Sequence, residues 1–110
     1  MSGIHMARAT SKREFKTMVS LLTIKFSIPA CQSLKDKRSA IQPFIARVRK
    51  EFNVSVSEVG LQDVWQNAWL GVVCISNDAT HNSQVLQEVV HFSENNFLNL
   101  EILEHHIENF

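Results

Sequence analysis

Tyrosine is absent from this chain, and glycine, proline and cysteine are scarce, at three, two and two in 110 residues. Each shortage excludes something. Three scattered glycines make no glycine-rich phosphate loop, and neither Walker nor Rossmann spacing occurs, so a nucleotide cradle is not expected. Cys31 and Cys74 are too few for a disulfide framework, which points to a reduced, cytoplasmic setting. The strand-like stretches lack the aromatic octapeptide of an RNA-recognition motif. No apolar run approaches a membrane span, and none opens the chain as a secretory signal would. Membranes and small-molecule substrates are therefore not expected partners, and no cofactor is expected either.

The last absence concerns charge. Lysine and arginine are missing from residues 61–110, which hold seven acids; residues 1–60 hold all eleven cations against four acids. The net charge is zero, yet the halves carry +7 and −7. Such asymmetry suits a basic binding surface or self-complementary association, unless the fold interleaves the halves and mixes the charges.

What is present reads as one domain. An apolar fraction of 45% and this length suit a single core. Residues 1–17, MSGIHMARATSKREFKT, read as a disordered basic arm whose SGIHM start resembles a vector-derived remnant. The folded unit is expected over residues 18–110. Val19 to Ile28 alternates as a strand, and Pro29 ends it. Ser33 is the N-cap of a helix reaching Phe52, with Asp36 three residues on as a variant capping box. Pro43 falls inside that helix, but the stripe of Leu34, Ile41, Ile45, Val48 and Phe52 keeps its phase across it, so one bent helix is expected.

Val54 to Leu61 alternates as a second strand, QDVWQ (62–66) connects, and Ala68 to Ser76 is apolar on both parities, as a central strand would be. Asn77 and Asp78 are turn and N-cap residues for a second amphipathic helix, Ala79 to Asn95. Leu100 to Ile107 is the last strand. The order βαββαβ predicts an α+β, ferredoxin-like fold: a four-stranded antiparallel sheet with both helices on one face and the first and third strands central. The other face would carry Leu21, Thr23, Lys25, Trp69, Gly71, Val73 and Ile75, too apolar for bare exposure to water. A second copy of the chain is the simplest cover, so a homodimer is expected, with Trp65, Trp69, Leu21 and Val73 as interface candidates.

The candidate binding residues lie on the first helix. Lys35, Lys37 and Arg38 sit in its first turns, where free N–H groups and a partial positive charge favour phosphate. Arg47, Arg49 and Lys50 would extend the basic track, although cations in a last turn also simply suit the helix dipole. Exposed charge runs are commonly no more than solvated faces. No catalytic or metal set emerges. Glu58 and Asp63 have no nucleophile or further ligands nearby. His81, His91, His105 and His106 fall on different faces and read as surface residues. Cys31 precedes a helix N-terminus close to three cations, which would lower its pKa, but no base neighbours it in sequence.

Taken together, IPACQSLKDKR (28–38), FNVSVSEV (52–59), QDVWQ (62–66) and SND (76–78) resemble, in order and spacing, the YlxP-like family, a bacterial domain of unknown function numbered 503. The resemblance runs over about residues 18–107 and implies a ferredoxin-like fold. Because such domains are often encoded beside transcription and translation factors, it also implies RNA or ribosome association, by context alone. The basic arm and the acidic C-terminal half depart from the family pattern. The leading expectation is a non-enzymatic accessory domain that binds RNA or ribosomes through the basic helix. The alternative is a homo-oligomeric interaction module with no nucleic-acid role. A small acylphosphatase-type hydrolase shares the chain order but ranks last, since PACQS has no glycine to cradle phosphate.

Overall fold

A computed structural model describes residues 15–110; the arm expected at 1–17 falls mostly outside them, and only exposed Phe15 to Thr17 lead into the fold. The element order is β1 (Met18–Ser27), α1 (Leu34–Glu51), β2 (Ser55–Gly60), β3 (Asn67–Ser76), α2 (Ala79–Asn96) and β4 (Glu101–Asn109). The strands form one antiparallel sheet in the order β2-β3-β1-β4, so β1 and β3 are central and β2 and β4 are edges. This is the α+β, ferredoxin-like arrangement that the alternation of patterns predicts, with element ends moved by a residue or two. No helix among the described residues is long and apolar enough to cross a membrane.

Period-two alternation decides which face holds the core. Leu22, Ile24 and Phe26 of β1 and Ala68, Leu70, Val72 and Cys74 of β3 are buried on the helix side, with Val56 of β2 beside them. The helices close that layer through Ile41, Phe44, Ile45 and Val48 of α1 and Leu86, Val89 and Val90 of α2. Phe44 links the layers edge-on, with ring centroids 5.3 Å from both Phe26 and Phe97. Edge-to-face rings at this spacing add to what burial alone contributes.

Helix ends are satisfied locally. Ser33 Oγ accepts from Asp36 N, and Asp36 Oδ2 accepts from Gln32 N, a capping arrangement with aspartate in the usual glutamate place. Asp78 Oδ1 caps α2 by accepting from Thr80 N. Beneath that cap, fully buried Asn82 accepts from Ser76 Oγ and Cys74 Sγ and donates to Met18 O, tying α2 to the ends of β3 and β1.

The inner face of α1 differs from the expected stripe. Leu34 is 37% exposed and Phe52 lies past the helix end as its C-cap, while Phe44 and Lys37 are buried. The contact stripe is thus rotated by roughly 25° around the axis, at 100° per residue. Pro43 sits inside an uninterrupted helix, on its exposed side. There Ser39 O, which loses its usual donor, is left to solvent. Pro43→Ala is expected to raise stability by about 1–3 kcal/mol with the fold unchanged, as read by chemical denaturation. A loss of stability would show that the fixed proline φ starts a separate helical segment.

Candidate nucleic-acid interface and the lysine clamp beneath it

The six basic candidates on α1 separate into three groups. Lys37 is the clearest departure from expectation: it is 2% exposed and cannot meet a phosphate in solution. Its Nζ donates to Leu61 O at 2.7 Å and Val64 O at 2.9 Å and lies 2.7 Å from Glu58 Oε2. Two of the three ammonium donors go to those carbonyls, and the charge faces the carboxylate. The contact with Glu58 is an ion pair rather than an aligned hydrogen bond, and Oε2 makes no hydrogen bond to another group.

Arg47 lies on the other flank, in the groove between the helices. It makes two hydrogen bonds to Glu51 Oε2, and its guanidinium carbon lies 5.0 Å from the Phe92 ring centroid and 5.9 Å from that of Phe97. Its charge is largely spent on that stack and pair. Lys35, Arg38, Arg49 and Lys50 remain: all are exposed, and among the described residues none is paired with a carboxylate. Arg49 is held in place, donating from Nη2 to Val56 O at 2.8 Å. Lys35, Arg38 and Arg49 share one stripe with Gln42, spanning ~21 Å at 1.5 Å per residue.

Under the stripe, the clamp joins the segments that make the sequence distinctive. Lys37 belongs to IPACQSLKDKR, Glu58 to FNVSVSEV, and Leu61 and Val64 bracket the start of QDVWQ. Gln66 completes the tie, its Nε2 donating to Cys31 O at 3.2 Å, while Ile28 N donates to Gln66 O at 2.8 Å. Leu61 adopts a left-handed φ of 59°, costly for a branched residue, and its carbonyl is one that Lys37 holds. The loop presents Asp63, Val64 and Trp65 to solvent. Trp65 is therefore exposed in the loop, while Trp69 stands on the open sheet face.

The other polar candidates scatter. Glu58 is engaged by Lys37 and Asp63 is exposed, so the two carboxylates do not act on a common site. His81, His91, His105 and His106 are all exposed, and no group of three metal-ligating side chains gathers among the described residues. Cys31 is buried, and burial pushes its thiol pKa up, with Asp36 adding to the rise and Lys37 opposing it. The lowered thiol pKa expected from sequence is thus reversed. Cys74 is likewise raised by burial.

Sequence reasoning missed the clamp, although a signal existed. Lys37, Ile41, Phe44 and Val48 recur at i, i+4, i+7 and i+11, the spacing of a buried stripe. Glu58 likewise shares the core-facing parity of Val56. Replacing Lys37 with Met is expected to cost about 2–4 kcal/mol, because two carbonyls and the Glu58 carboxylate lose their partner. The Lys35→Gln and Arg38→Gln variants should unfold close to wild type in the same melts.

A family model described as a protein of unknown function, DUF503, matches residues 19–107. The Bacillus subtilis (strain 168) protein named "Uncharacterized protein YlxP" is 40% identical over 60 residues, which cover 54% of this chain and 65% of that protein. The aligned part thus spans somewhat under two thirds of that relative. Since the family match takes in every described element from β1 to β4, the chain belongs to the DUF503 family, whose function is unknown.

Proposed function

We propose that this domain is a non-enzymatic accessory factor of the cytoplasm that binds RNA, or an RNA-rich particle such as the ribosome, through the outer stripe of α1. One observation carries the reading: Lys35, Arg38, Arg49 and Lys50 are exposed on a rigid helix without carboxylate partners among the described residues. Unpaired surface cations release condensed counterions when they meet a phosphate backbone, and that release supplies affinity without sequence readout. The clamp supports the same reading, because it fixes α1 against β2 and holds the stripe in one shape. The open sheet face is a poorer RNA surface. Its β4 edge presents Glu104 and Glu108 beside the strand carrying Lys25, and like charge would repel phosphate there.

The test is binding of the full chain to structured ribosomal RNA at several salt concentrations. The triple variant Lys35→Gln, Arg38→Gln, Lys50→Gln should fold normally and bind more weakly. Its slope of log affinity against log salt should flatten by about 2–3, near 0.7–0.9 per lost contact. Replacing Glu101 and Glu104 with Gln should leave affinity unchanged or improve it. Wild-type protein that ignores RNA at physiological salt overturns the reading.

A further inference from the structure

The face of the sheet opposite the helices carries an apolar surface with its own geometry. Register places its residues in rows across the strands. Ser55, Val73, Leu21 and Glu108 form one row, Ser57, Gly71, Thr23 and His106 the next, and Trp69, Lys25 and Glu104 the third. Gly71 leaves no gap, because Val59 and Leu21 lean over it: a Cβ built there would lie 3.2 Å from Val59 Cγ1 and 3.6 Å from Leu21 Cδ1. Trp69 in turn lies across Gly60, its Cε3 3.4 Å from the equivalent point. The result is a continuous band from Val59 and Trp69 through Leu21 and Val73 to Ile75. Val59 is 58%, Trp69 39% and Ile75 62% exposed. Scattered apolar residues on a surface are ordinary, but a contiguous band across central strands marks an interaction face.

We infer that this face pairs with the same face of a second copy, in a two-fold dimer whose axis runs along the strands. Charge decides both occupant and axis. Two sheets packed face to face are related by an axis lying between them. An axis across the strands would lay β4 on the second copy's β4, so that Glu104 and Glu108 meet their own kind. An axis along the strands lays β4 over the second copy's β2, whose outward residues Ser55, Ser57 and Val59 carry no charge. At that β2 sits Arg49, whose Nη2 donates to Val56 O at 2.8 Å and which has no carboxylate partner among the described residues. The acidic edge of one copy then lies toward Arg49 of the other, across about one sheet-to-sheet spacing, and opposite charges meet where the other axis would oppose like ones.

The same axis sets β1 over the second copy's β3. Lys25 and Trp69 are register partners, so each Trp69 falls over the other copy's Lys25. A shallow hollow lies there, lined by Thr23, Lys25, Trp69, Glu104 and His106, and the incoming indole fills it and stacks on the ammonium. Strands of 10, 6, 10 and 9 residues, at about 3.3 Å rise and about 4.8 Å spacing, offer about 550 Å² of flat face per copy. Doubled, this clears the roughly 1,000 Å² that a specific interface needs.

Sedimentation equilibrium of the full chain over a wide concentration range tests the proposal. Wild type should be a dimer. Trp69→Lys and, separately, Ile75→Lys should each lower the association constant, the first by roughly 30-fold or more, as expected for loss of an aromatic anchor. Ile75 is mostly exposed, so its variant folds as a monomer even if Trp69→Lys is unstable. The double variant Glu104→Gln, Glu108→Gln should dimerise equally or more weakly. Stronger dimerisation by that variant overturns the axis, since it would mean the acidic edges face each other. A monomeric wild type, or a dimer indifferent to both lysine substitutions, overturns the proposal itself. RNA binding is read separately: Trp69→Lys keeps it under the functional reading above, and the α1 glutamine variant keeps the dimer, so either idea can fail alone.

Discussion

A buried ammonium organises this domain. Withdrawing a lysine from water costs several kcal/mol, which only a complete set of partners offsets. Lys37 has that set in Leu61 O, Val64 O and Glu58 Oε2. Each partner constrains a different element. Glu58 must sit on the core-facing parity of β2, which fixes the phase of that strand against β3. The two carbonyls must converge on one point, which folds the β2–β3 loop and holds Leu61 at its left-handed φ. And α1 must turn until position 37 faces inward, which explains why Phe44 is buried and Leu34 is not. One interaction thus fixes a helix rotation, a strand phase and a loop shape.

That arrangement separates the molecule into surfaces of different character. Because α1 is rotated inward by its clamp, Lys35, Arg38 and Arg49 are exposed along its β2 side, where Arg49 reaches the β2 backbone. Because the last third of the chain supplies no cations, β4 at the opposite edge is acidic. Among the described residues the exposed cations of α1 and the acids of β4 thus lie at opposite edges of the sheet, and of the strand cations Lys25 stands beside the acidic edge, opposite Glu104. The apolar band lies between, on the face no helix covers.

Much of this was legible from residues alone. The alternation in LLTIKFS and the two-sided apolarity of AWLGVVCIS set the central strands and the identity of the open face, because a period of two admits only one assignment of faces. The uninterrupted helix across Pro43 followed from the phase of Ile41, Ile45 and Val48. The fate of Lys37 did not, because a lysine within the run KDKR is chemically indistinguishable from its solvated neighbours until a carboxylate from a distant strand is brought beneath it. Cys31 misled for the same reason: proximity to cations in sequence suggests a lowered pKa, whereas burial in the core raises it. Periodicity does align Lys37 with Ile41, Phe44 and Val48, but it encodes neither the distant groups that meet its charge nor the burial that governs Cys31.

The zero net charge bears on the proposed polyanionic partner through where the charges lie. In the sheet β4 lies three strand spacings from β2, about 14 Å, and α1 sits a further layer above, at about 10 Å. At physiological ionic strength exposed charges are screened over about 8 Å. A phosphate approaching the outer stripe of α1 therefore responds to Lys35, Arg38, Arg49 and Lys50, with Glu104 and Glu108 beyond the range at which they could cancel the attraction. At low salt the screening length grows past these separations and the acidic edge is felt. Unpaired cations on one side and acids on the other then act as a dipole rather than a neutral body, which is the arrangement the proposed binding through α1 requires.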